Sequence, residues 1–213
     1  MQGNGDRPDY RGEFETHLTV VAEAGAFAAL RALAVDLGGR FLHIELPRGQ
    51  MPSQPMLSWR DRGDLTQLLA AADRRSTPLQ AAGFAVARRK IEAAPDNAGI
   101  PLHGDAVLPG QYFESHLKIA LAAGADVAAL TALAQRHAAH LSRNAFSRAA
   151  DGQEHRFVTQ RLPGAGLRQA RERLAQLAAA LTALGHAPLR SELEFVVHDS
   201  NLALDAGWIE GDG

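Results

Sequence analysis

The sequence predicts an α+β protein built by internal duplication, and three observations carry that prediction. The first is a repeated phrase: "FETHLTV" at 14–20 returns as "YFESHLKI" at 112–119, each with Glu-x-His-Leu inside a strand-like run. The second is register. His17 falls on His116 at an offset of 116 − 17 = 99, and Glu92 on Glu194 at 194 − 92 = 102, so three inserted residues separate the two registers. The third is the text between those anchors. "AGAFAALRALAVDLGG" answers to "AGADVAALTALAQRHAA", "PMLSWRDRGDLTQLL" to "HRFVTQRLPGAGLRQ", and "AAGFAVARRKIEAAPDN" to "ALGHAPLRSELEFVVHDSN".

Residues 1–12 lack an apolar stretch and are expected to be disordered. The first repeat, 13–94, opens with an alternating strand at 13–21, followed by helical spacing over 25–37 that a left-handed Gly38 should stop. "RFLHIEL" (40–46) and "PMLSWR" (55–60) alternate around the breaker-rich "PRGQMPSQ", as a hairpin with a long loop would. A helix over 64–82, starting near Gly63 or Asp64 and ending at Gly83, and a strand over 84–93 close the unit. Residues 95–111, with Pro, Gly and Asp, are the expected linker. The second repeat, 112–198, should carry strands at 112–121, 142–147, 155–161 and 187–198 and helices at 125–140 and 165–184, leaving a tail at 199–213. This β-α-β-β-α-β order is the ferredoxin-like motif, with helices on one face of an antiparallel sheet. Two copies would be related by a pseudo-two-fold axis, each helix-free face solvated or covered by the other unit.

Composition narrows the function. With no Cys in 213 residues, disulfides, thiolate metal sites and thiol nucleophiles are excluded. A net charge of −2 offers no footprint for duplex nucleic acid. No apolar run approaches the roughly 20 residues of a membrane helix, so the expected setting is the cytoplasm and the expected assembly a monomer or homodimer. Of 22 basic residues only Lys90 and Lys118 are lysines.

Strand parity decides where the doubled phrase points. If Phe14, Leu18 and Val20 lie under the helices, Glu15, His17 and Thr19 share the other face; Phe113, Leu117 and Ile119 likewise leave Glu114, His116 and Lys118. On the closing strands the same face takes Arg88, Lys90 and Glu92 in one copy and Arg190, Glu192 and Glu194 in the other. Both lysines fall on this face. Charged residues there are consistent with an ordinary solvated sheet surface, where cross-strand pairs contribute roughly 0.2–1 kcal/mol each. They are equally consistent with a binding face for a small anionic molecule, the remaining candidates being ligands and His17 and His116 an acid–base pair.

At "HLTV" (17–20), His-x-Thr on a strand, one such strand per lobe, resembles the 2H phosphoesterase superfamily. That resemblance implies metal-independent cleavage of cyclic phosphates or 2′,5′-linked phosphodiesters, with no cofactor. It makes His17 one acid–base, Thr19 a phosphate ligand and His116 the other acid–base. Lys118 stands where the family has Thr or Ser. Two alternatives stay open: a non-catalytic ligand-binding or interaction scaffold, and a divalent metal held by His17, Glu92, His116 and Glu194, which the neighbouring cations disfavour. His137 and His140 are expected as an exposed pair on one helix.

Overall fold

The computed structural model describes residues 8–47, 49–145 and 153–208. Parts of three expected segments lie outside them: 1–7 of the N-terminus, 146–147 of the sixth strand and 209–213 of the tail. The described residues form an α+β fold with eight antiparallel strands and four α-helices. In order these are β1 (Arg11–Val21), α1 (Phe27–Asp36), β2 (Arg40–Glu45), β3 (Ser53–Asp64), α2 (Leu65–Ala81) and β4 (Ala85–Ala93), then β5 (Tyr112–Leu121), α3 (Ala128–Arg136), β6 (Ala139–Asn144), β7 (Glu154–Pro163), α4 (Leu167–Ala183) and β8 (Arg190–Asp199). Both halves run strand, helix, strand, strand, helix, strand.

Local chemistry explains the boundaries. Asp64 caps α2 by accepting from the Gln67 backbone N–H while the Gln67 side chain accepts from the Asp64 N–H. Gly38 and Gly83 follow α1 and α2 at φ 69° and 86°, a conformation that costs a Cβ-bearing residue energy. The expected 125–140 helix is shorter, because Ala138 turns left-handed at φ 50° and feeds the chain directly into β6. His137 therefore sits in a turn and His140 on a strand, and the expected helical His pair does not form. Order also begins earlier than expected: Tyr10 is 2% exposed, stacks near Phe195 and donates its hydroxyl hydrogen bond to Gln111.

The strands run β4-β1-β3-β2 in the first half and β8-β5-β7-β6 in the second. Backbone pairing then joins the halves twice, β4 to β8 and β2 to β6, and the sheet closes into a barrel. This changes one expectation in kind. The helix-free faces are neither solvated nor stacked sheet on sheet; they become the inside of the barrel.

The helices cover the outside. Leu18, Val20, Leu57 and Trp59 pack with Leu30, Ala34, Ala72 and Leu79 of α1 and α2. Leu117, Ile119 and Val158 pack with Leu130, Leu133, Leu177 and Leu181 of α3 and α4. A third core, including Tyr10, Phe14, Ile91, Phe113 and Phe195, spans both halves beside the β4–β8 seam. After β8 the tail folds back through a short helix (Leu202–Asp205), burying Asp205 and Trp208. No described helix is long and apolar enough to cross a membrane.

Candidate functional site

An eight-stranded barrel leaves room inside for side chains or one small ligand. Here the interior holds a cavity of about 410 Å³. Strand parity aims the candidate residues into it. Glu15, His17 and Thr19 lie opposite Glu92, Lys90 and Arg88 across the β1–β4 pair. Glu114, His116 and Lys118 lie opposite Glu194, Glu192 and Arg190 across β5–β8. All twelve line the one cavity.

At its centre Lys90 bridges the halves, its Nζ 2.7 Å from Glu92 Oε1 and 2.5 Å from Glu114 Oε1. Burial raises the carboxyl pKa of Glu92, but Lys90 and His17 outweigh it and hold the group well below the usual range. Burial likewise opposes ionisation of Glu114, and Lys90, Arg161 and His116 outweigh it. Burial opposes the charge on Lys90 as well, yet the two carboxylates hold its pKa well above the ordinary lysine value. His17 Nε2 lies 2.6 Å from Glu92 Oε2. An ionised carboxylate only accepts, so that nitrogen carries a hydrogen, while Nδ1 is buried with no hydrogen-bond partner. His116 differs: its Nε2 is 3.2 Å from Glu114 Oε1, and its Nδ1 pairs with Thr159 Oγ1 at 2.9 Å.

Glu194 is the odd member. Its nearest recorded ion-pair contact is His116 Nε2 at 4.0 Å. Burial and the charges of Glu92, Glu15 and Glu192 push its pKa well up, only partly offset by Lys90. Glu15 is the reverse case: burial raises it, and His17, Ser58 and Arg60 pull it below the usual range.

A metal fits poorly at the centre. Donor atoms of Glu92, Glu114 and His116 lie within 4.8 Å of one another, whereas the expected set was His17, Glu92, His116 and Glu194. The Lys90 ammonium is already bonded to both of those carboxylates, and a second cation beside it would be repelled.

Sequence reasoning missed several partners. Arg60 donates to Glu15 at 2.7 Å, and its counterpart Arg161 donates to Glu114 at 2.9 Å. Ser58 and Thr159 stand two residues before them, so Ser-x-Arg and Thr-x-Arg repeat as faithfully as Glu-x-His. The same parity rule, carried to β3 and β7, would have found them. Nothing local announces the tail. Asp205 accepts from Gln54, Arg88 and Arg161, while Asp199 accepts from Arg88 and the Tyr112 hydroxyl.

Seven cations (Arg40, Arg60, Arg88, Lys90, Lys118, Arg161, Arg190) line the interior against six carboxylates (Glu15, Glu92, Glu114, Glu192, Glu194, Asp205). Asp199, which pairs with Arg88 from behind, brings the carboxylates to seven, and the raised pKa of Glu194 tips the sum toward the cations. Among the described residues, Lys118 alone of the seven has no carboxylate partner within ion-pair distance.

No family model matches the chain, and no curated protein matches it. Among solved structures, a provisionally assigned glycine cleavage system transcriptional repressor is 10% identical over 86% of this chain and 96% of that one, with a TM-score of 0.28. A mutant chlorite dismutase from Candidatus Nitrospira defluvii is 13% identical over 88% and 92%, with a TM-score of 0.29. A provisionally assigned chlorite dismutase is 10% identical over 92% and 97%, with a TM-score of 0.27. Likenesses this slight carry no argument about activity or ligand.

Proposed function

We propose that the barrel interior binds a small anionic molecule, best a phosphate ester. The observation that carries this reading is Lys118, a cation lining the barrel interior with no carboxylate partner among the described residues. A low-dielectric enclosure strengthens attraction to an anion and screens it less than an open surface would. The barrel itself is the product of a duplicated ferredoxin-like unit, its pseudo-two-fold axis passing through the β4–β8 seam near Ala93 and Phe195, which pair there. In this reading the chain works in the cytoplasm as a monomer or homodimer, without cofactor or duplex nucleic acid.

A catalytic version draws on the placement of His17 and His116 on one cavity. His17, held by Glu92, takes the proton of an attacking water as the new phosphorus–oxygen bond forms. The bond to the ester oxygen breaks, and His116 returns a proton to that oxygen. Calorimetric titration with inorganic phosphate tests binding: saturable heat, weakened at least tenfold by Lys118→Ala, supports the anion reading, and no heat in the unaltered protein overturns it. Hydrolysis of a cyclic phosphodiester, lost in His17→Ala and His116→Ala while binding survives, separates the enzyme from a passive receptor.

A further inference from the structure

The charged residues occupy only part of the barrel wall. They come chiefly from β1, β4, β8 and β5, which are contiguous in the barrel. The remaining four strands, β3, β2, β6 and β7, are contiguous as well, and they turn Leu42, Ile44, Met56 and Phe157 into the same cavity. Arg40, Arg60 and Arg161, though borne on β2, β3 and β7, reach back to Glu15 and Glu114. Leu42 and Met56 face each other across β2–β3, and Phe157 lies opposite Lys118 across β7–β5. None of the four apolar side chains belongs to any of the three helix-covered cores.

A site for a bare anion has no use for such a wall. Apolar side chains left facing water in a polar enclosure forgo the burial free energy they would gain in a core. They also leave more space than a phosphate ion fills. A cavity of about 410 Å³ equals about a dozen waters at ~30 Å³ each, and it falls within the size range of small-molecule pockets.

We infer that the ligand is amphipathic: a phosphate monoester with an aromatic or apolar body, its anion at Lys118 and its body along Phe157, Met56 and Leu42. This rests on the anion-binding reading and adds the chemical class of what the anion is attached to. The juxtaposition of Lys118 and Phe157 supplies the geometry, since one ligand can reach both only if its charge and its ring are adjacent.

Calorimetric titration with three probes tests it: inorganic phosphate, phenyl phosphate and phenol. The expected result is that phenyl phosphate binds at least about tenfold more tightly than inorganic phosphate, as burial of one ring supplies, and that phenol binds far more weakly than phenyl phosphate. Met56→Gln, close in shape but polar, should shrink the ratio of the first two at least about threefold. Equal affinities for phosphate and phenyl phosphate overturn the amphipathic ligand while the anion reading stands. Phenol binding as tightly as phenyl phosphate, or no binding of either phosphate, overturns both. If the variant fails to fold, the ratio in the unaltered protein decides.

Discussion

His17 and His116 occupy equivalent places in the two halves, yet only one of them has a free nitrogen. In the first half Ser58 gives its hydroxyl hydrogen to Glu15, leaving His17 Nδ1 alone; in the second Thr159 bonds His116 directly. In the first half the closing strand carries Lys90, which crosses to Glu114; in the second the same position is Glu192, which pairs with Arg190. Arg88 is sealed by Asp199 and Asp205, whereas its counterpart Arg190 is largely exposed. The two halves share one strand-and-helix frame, and the few side chains that differ within it make one half a structural anchor and the other an open, cationic lip. An asymmetric ligand needs such a difference; a symmetric one does not.

The largest expected effect breaks the anchor. Lys90→Met leaves Glu92 and Glu114 buried without their shared cation, and loss of one partner from a buried ion pair costs about 3–5 kcal/mol. Urea unfolding at pH 7 should show that loss, and it should shrink in acid, where the stranded carboxylates take up protons. Glu192→Ala, at the equivalent position, should cost about 1 kcal/mol or less because its pair is part-exposed. Equal losses would show that the halves are energetically interchangeable. Arg88→Ala against Arg190→Ala is the same contrast one step down, about 3 kcal/mol against less than 1.

Much of that contrast could be anticipated, and part could not. Alternation placed Phe14, Leu18, Phe113, Leu117, Leu193 and Phe195 against the helices, and their neighbours on the opposite face, because a strand's period leaves no other choice. Closure of the barrel was not legible. Edges pair through backbone groups that every residue carries, so neither β4–β8 nor the two-residue contact of β2 with β6 has a side-chain marker. The tail was illegible for a related reason: Asp205 meets Gln54, 151 positions away, and no periodicity reports on so distant a partner. The end of α3 escaped because Ala138 performs a turn for which glycine is the usual signal.

Glu92 and Glu194 sharpen the comparison through pH. Glu92, held low, contributes stability above the ordinary carboxylate range and loses it as pH falls through its folded-state pKa. Glu194, held high, does the opposite: its contribution is complete below the unfolded value and disappears as pH rises through the folded one. Glu194→Gln, which abolishes the ionisation, should therefore raise the melting temperature at pH 8 by about 2 °C or more. That gain should vanish below about pH 4, where the native carboxyl is neutral in both states. Glu92→Gln should lower it at pH 8. A destabilised Glu194→Gln would show that this carboxyl is ionised and paired after all.

The smallest expected effect tests the hydroxyls. Thr159→Val keeps shape but strips His116 Nδ1 of its partner, and Ser58→Ala removes one of the donors on Glu15; each should cost about 1 kcal/mol. Their stability losses are alike, so stability cannot separate the two roles. Imidazole proton resonances can. Thr159→Val should move the ring resonances of His116 and leave those of His17 in place, while Ser58→Ala should reach His17 only indirectly, through the charge of Glu15 3.9 Å away. If both variants shift His17 alike, the barrel interior responds as one unit, and His17 loses its claim to a separate part in the chemistry.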